Sequence, residues 1–144
     1  MKLSKKYILQ VILCFCTLSS LAQEVTYEGE NDGVMMLSVS EFNIKKKDAV
    51  SQAIKDAYFQ LLFRGIPGSK ENKRALLGTD ENAINANRKY YDSMLNGGRL
   101  YSFVTYSNLS YYKKKEAVVK LSLNVNALIA DLEKNNLYRR FGLH

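Results

Sequence analysis

The stretch Tyr101–Val125, YSFVTYSNLSYYKKKEAVVKLSLNV, decides the fold, because apolar and polar residues alternate on both sides of three consecutive lysines. Before the lysines the odd positions carry Tyr101, Phe103, Leu109 and Tyr111. After them they carry Ala117, Val119, Leu121, Leu123 and Val125. A period of two belongs to a strand with one buried face, and two such runs around a short polar break predict an antiparallel hairpin. Opposed residues share a face, so burying both odd sets demands an odd-numbered loop. A three-residue loop at Lys113-Lys114-Lys115 meets that demand and pairs Tyr111 with Ala117, Leu109 with Val119 and Phe103 with Val125. The reverse face then carries Val104, Tyr106, Tyr112 and Val118 among polar neighbours.

Upstream, Val34–Ile44 reads as a strand. Leu37 and Val39 differ in parity from Phe42 and Ile44, so a bulge near Ser40-Glu41 is expected to keep all four inward. Asp48 then precedes an apolar recurrence every four residues (Ala49/Val50, Ala53/Ile54, Ala57/Tyr58, Leu61/Leu62), the pattern of a capped amphipathic helix. Gly65 ends it, and Ile66-Pro67-Gly68-Ser69 suits a type II turn. A second helix is expected over Asp80–Leu95, its stripe being Ile84, Tyr91 and Leu95, with Gly97-Gly98 as the stop. Asn126 is expected to cap a final helix from Ala127 to about Asn135. The order β-α-α-β-β-α predicts an α+β fold: a two-layer open-faced sandwich of about three strands with helices on one face. This single domain is expected over 34–144, after a leader over 1–22 and a flexible acidic lead-in over 23–33 that contains Glu24, Glu28, Glu30 and Asp32.

Met1–Ala22 has the composition of a secretory signal peptide. Lys2, Lys5 and Lys6 precede an apolar stretch from Tyr7 to Leu18, and Ser20 and Ala22 supply the small residues of a cleavage site. The stretch is shorter than the ~20 residues that span a bilayer. Leu13 before Cys14 and Phe15 before Cys16 are too bulky for lipoprotein processing, so the expected product is exported to the periplasm or cell surface and is not a lipoprotein. Cleavage removes both cysteines, which leaves neither disulfide nor thiolate, and no transmembrane span. Without Lys2, Lys5 and Lys6 the balance is 18 basic against 14 acidic residues, a net +4 that does not by itself call for nucleic acid.

The residues that most often perform catalysis are scarce. The only histidine is His144, at the end of the chain, so neither a Ser/His/Asp triad nor a histidine metal site is expected. The carboxylates Glu41, Asp48, Asp80, Glu81, Asp131 and Glu133 lie at strand ends or near helix starts, where the backbone dipole already favours negative charge. Glu28–Gly33 has the alternating carboxylates of a calcium loop, but Val39 stands where an EF-hand needs its bidentate Glu. No phosphate-binding loop is present, and Asn108-Leu109-Ser110 is a sequon lying in mid-strand. No catalytic, metal-binding or cofactor-binding residue is assigned, and the expected protein is not an enzyme.

Several stretches carry a resemblance: Phe63-Arg64-Gly65-Ile66-Pro67-Gly68-Ser69, Tyr90-Tyr91-Asp92, Gly97-Gly98-Arg99, Tyr101-Ser102-Phe103-Val104, Val125-Asn126-Ala127-Leu128 and Arg139-Arg140-Phe141-Gly142. Together, over Val34–Leu143, they resemble an uncharacterised family of small exported proteins of Gram-negative anaerobes. That resemblance implies export and transfers no activity. The layout is also loosely similar to open-faced α/β domains of envelope and flagellar assembly accessory proteins, a likeness of fold that does not determine function.

Two surfaces remain as candidates. The first is the reverse sheet face with Val104, Tyr106, Tyr112 and Val118, which suits an envelope protein or a second copy of the chain. On this reading the protein is an exported, non-enzymatic protein-binding module. The alternative uses Lys45, Lys46, Lys47, Lys113, Lys114 and Lys115 to hold an anionic envelope ligand, either lipid phosphate or acidic glycan. The six lysines meet only if the strand at Val34 and the strand at Tyr101 are parallel. The tail Leu137–Leu143 is a competing cover for the reverse face.

Overall fold

A computed structural model of the chain describes residues 23–69, 74–79 and 81–138. Residues 1–22, expected to be a leader, and residues 139–144, with His144, lie outside the described residues. Among the described residues the fold is α+β: four antiparallel strands in an open sheet, ordered β1-β2-β4-β3, with three helices. In chain order these are β1 (Glu24–Asn31), β2 (Val34–Glu41), α1 (Ala49–Phe63), α2 (Glu81–Asn96), a 3-10 helix (Arg99–Phe103), β3 (Val104–Lys113), β4 (Glu116–Asn124) and α3 (Val125–Lys134). Among the described residues the 23 buried apolar ones fall between Met35 and Leu132 and form one cluster. The described residues from Gln23 onward thus form one core among themselves.

The sheet has one more strand than expected, because the acidic lead-in is β1. It pairs with β2 from Glu24↔Ser40 to Asn31↔Val34. Asp32 and Gly33 make a two-residue turn with φ of 49° and 74°, the left-handed pair that a type I′ hairpin requires. Asp-Gly between two strand-like runs is a strong hairpin signal, masked here by the run of carboxylates. Those carboxylates fit an edge strand: Glu28, at a bulge between Tyr27 and Gly29, forms an ion pair with Lys120 of β4. The expected bulge at Ser40-Glu41 is absent, and β2 runs straight to Glu41. Alternation therefore turns Glu41 inward and leaves Phe42 37% exposed.

The hairpin at Lys113 also differs from expectation. Lys113 pairs with Glu116 across a two-residue turn, Lys114-Lys115, so the three-residue loop is not formed. An even turn should bring the wrong parity to the core. The turn puts Tyr112 on the core face. A bulge at Ser110 then shifts the alternation by one residue and returns the odd-numbered Leu109 to it, and a second bulge at Thr105 shifts it again and brings in Val104. Leu109 still faces Val119, but Tyr112, not Tyr111, faces Ala117, and Val104 faces Leu123. Phe103 and Val125 are both buried, as expected, but from the 3-10 helix and from the first turn of α3.

The helices follow their patterns closely. Ala53, Ile54, Ala57, Tyr58, Leu61 and Leu62 of α1 are buried against the sheet, and Asp48 stands at its N-cap without a side-chain capping bond. Gly65 and Gly68 take the positive φ that end α1 and complete the turn after Pro67. Helix α2 buries only Met94 fully and lies at the rim. The cap of α3 is Asn124, not Asn126: its Oδ1 accepts from Ala127 N–H at 2.9 Å. Leu137 and Tyr138 pack against the core, and Leu137 lines a cleft with Ala86 and Tyr90 of α2. The described start of the tail thus joins the helix layer, away from the reverse sheet face.

Candidate functional site: a lysine-rich end of the sheet

β2 and β3 are both antiparallel to β4, and so are parallel to each other. Glu41 and Lys113 consequently finish at the same end of the sheet, and the segments that follow them meet there. The N–H of Ile44 donates to the carbonyl of Lys115 at 3.0 Å, and the Tyr112 hydroxyl donates to the carbonyl of Ile44 at 3.1 Å. These two bonds bring together Lys45, Lys46 and Lys47 with Lys113, Lys114 and Lys115. All six are exposed, and among the described residues none belongs to an ion pair. Asp48 and Glu116 are the acidic residues within the same two segments.

Lys114 and Lys115 hold φ of 50° and 67°. Side chains with a Cβ rarely occupy that region, and the turn type favours Asn-Gly or Asp-Gly. The other hairpin of this chain makes the same turn with Asp32-Gly33. Two lysines therefore stand where the backbone prefers other residues, and local strain of this kind concentrates at functional positions.

The reverse face receives only part of its expected set. Tyr106 (54% exposed) and Val118 lie on it, opposite Ser122 and Tyr111 respectively. Val104 and Tyr112 do not: the two-residue turn sets Tyr112 opposite Ala117, the bulge at Thr105 sets Val104 opposite Leu123, and both are partly buried on the core face. Tyr111 (47% exposed) and Met36 take their place beside Tyr106 and Val118. Parity alone could not reveal this exchange. Near the lysines, Phe42 and Tyr111 remain exposed.

Beneath the lysine end lies a carboxyl group that sequence reading assigned to a strand terminus. Glu41 is only 5% exposed and its Oε1 has no hydrogen-bond partner. Burial, the charge of Asp56 and a hydrogen bond with Asp56 push its pKa up to about 8. Gln52 donates to the other side of this pair, Asp56 Oδ2, at 2.9 Å. The two acids adjoin, with the Glu41 carboxyl sealed from solvent. Among the described residues no cluster of three or more His, Cys, Asp or Glu is placed to hold a metal ion, and no helix is long and apolar enough to cross a membrane.

A cleft of about 350 Å³ lies on the far side of the helix layer, lined by Ala86, Asn87, Tyr90, Ser93, Asn135 and Leu137. At its wall the Tyr90 hydroxyl donates to Asp131 Oδ2 at 2.5 Å, and Arg99 Nη2 donates to Asp131 Oδ1 at 2.5 Å. This network ties α2 and the 3-10 helix to α3. Burial and the bond to Asp131 both raise the Tyr90 hydroxyl pKa. No family model, curated protein or solved structure matches the chain.

Proposed function

We propose that this protein is an exported, non-enzymatic module of the cell envelope that binds an anionic ligand, lipid phosphate or acidic glycan, at the lysine-rich end of its sheet. The observation that carries the reading is the Ile44–Lys115 bond, which converts two separate lysine runs into one patch. The strained Lys114-Lys115 turn adds support, since the turn positions are occupied by charge at the expense of backbone preference. The leader over 1–22 supports export. Binding should weaken steeply as salt rises, because exposed charges are screened over ~10 Å at 0.1 M ionic strength. Retention on a sulfated-glycan column and on anionic vesicles, with and without Lys113→Glu, tests it. Retention that ignores both salt and the substitution overturns it.

A second reading rests on the reverse face, where Tyr106, Tyr111, Met36 and Val118 form an amphipathic surface for a protein partner or a second copy. Tyr106→Ala with Val118→Ala should then weaken association in sedimentation without unfolding the domain. A strict monomer at all concentrations, with no envelope partner captured, removes this reading.

A further inference from the structure

The six lysines are not alone at their end of the sheet. Phe42 follows Glu41 directly and is 37% exposed, and Tyr111 stands two residues before Lys113 on the reverse face, opposite Val118. Large apolar side chains at the rim of an unpaired basic patch form the combination that peripheral proteins present to a membrane interface. There lysines meet lipid phosphates, and aromatic rings enter the headgroup boundary. The patch is also built on projecting segments: the Lys114-Lys115 turn and the 42–48 connection. A free phosphate or a single sugar is normally held by a concave site lined with convergent donors. The cleft lined by Tyr90 and Leu137 lies away from the lysines, between α2 and the end of α3. Projecting lysines flanked by exposed rings match an extended, flat, anionic surface by charge and by shape.

We infer that the lysine end seats on the surface of an anionic phospholipid bilayer, with Phe42 and Tyr111 entering the headgroup layer beside the six lysines. The inference rests on the anionic-ligand reading above and specifies the ligand. The domain would lie on the membrane, not span it. The side chain of Tyr112 stays out of this contact, since its hydroxyl is committed to Ile44 and holds the two segments together.

The absence of tryptophan from the chain supplies the test. The chain from Gln23 onward, carrying Phe42→Trp, reports on one position only. It is mixed with vesicles of phosphatidylcholine, with vesicles in which a quarter of the lipid is phosphatidylglycerol, and with soluble heparin. The expected result is a blue-shifted emission with the anionic vesicles alone. In cosedimentation, Lys114→Asn with Lys115→Gly should lower partition roughly tenfold or more. Phe42→Ala or Tyr111→Ala should lower it several-fold with every lysine retained, and circular dichroism confirms that each variant is folded. Salt-sensitive heparin binding, with no emission shift on anionic vesicles and no effect of Phe42→Ala, overturns the membrane inference and leaves the anionic-ligand reading standing. Failure to bind either heparin or anionic vesicles overturns both.

Discussion

Ile44 donates its backbone N–H to the carbonyl of Lys115, 71 positions further along the chain, at 3.0 Å. Neither side chain takes part, yet the bond holds the two lysine runs at one end of the sheet. It exists because β4 lies between β2 and β3 and makes them parallel. The basic patch is therefore a product of strand order.

The Lys114-Lys115 turn should be replaceable at a gain in stability. Lys114→Asn with Lys115→Gly restores residues that tolerate φ of 50° and 67°, and removes strain of about 1–2 kcal/mol. Thermal unfolding should show a midpoint a few degrees higher, while anion binding declines. An unchanged midpoint would mean that the lysines occupy these positions without backbone cost.

Glu41 should make the fold sensitive to alkali. Its pKa rises from 4.5 to about 8 on folding, so the folded state holds a proton that the unfolded state has released over that interval. Stability contributed by the protonated form is complete below about pH 4.5, declines as pH rises towards 8, and is lost above it. Glu41→Gln keeps a neutral donor beside Asp56. Chemical denaturation across pH 4.5–9 should show a flatter profile for the variant, and a gain of about 1–3 kcal/mol at the alkaline end. Superimposable profiles would place Glu41 outside the titration.

Asp131 should hold the helix layer together. It accepts from Tyr90 and Arg99, from two different elements, and its side chain is 14% exposed. Asp131→Ala leaves the half-buried Tyr90 hydroxyl without its acceptor and should cost about 1–3 kcal/mol, whereas Tyr90→Phe removes one bond for about 1 kcal/mol. Arg99 is half-exposed, so Arg99→Ala should cost less than either. Urea unfolding of the three variants checks the ranking.

Gly33 should resist substitution. Its φ of 74° disfavours any Cβ, and a Cβ placed there would collide with the side-chain amide of Asn126. Its carbonyl also accepts the N–H groups of Val125 and Asn126 at 2.8 and 3.3 Å, which joins the β1–β2 turn to the start of α3. Gly33→Ala should therefore cost more than about 1 kcal/mol, the ordinary penalty for a non-glycine residue in this region. Equilibrium unfolding measures it, and a loss below 0.5 kcal/mol, roughly the scatter of surface substitutions, would contradict the account.

Local pattern was enough to determine the α+β class, the three helices and most of the core. Ala53, Ile54, Ala57, Tyr58, Leu61 and Leu62 recur with the helical period, and Val119, Leu121 and Leu123 alternate with the strand period, whatever surrounds them. Asp32-Gly33 was also legible as a hairpin turn, but acidic composition outweighed it. Tertiary structure decided the rest. The bulges at Thr105 and Ser110 change which side chains face the core, and a bulge arises from pairing with another strand, so no period within β3 announces it. The bulge at Thr105 moved Val104 to the core face, and the two-residue turn at Lys114-Lys115 moved Tyr112 to the core face and Tyr111 to the reverse face. The convergence of the lysine runs, and the burial of Glu41 beside Asp56, likewise depend on contacts distant in sequence: alternation specifies which residues share a face of one strand, and only strand order specifies which strand ends meet.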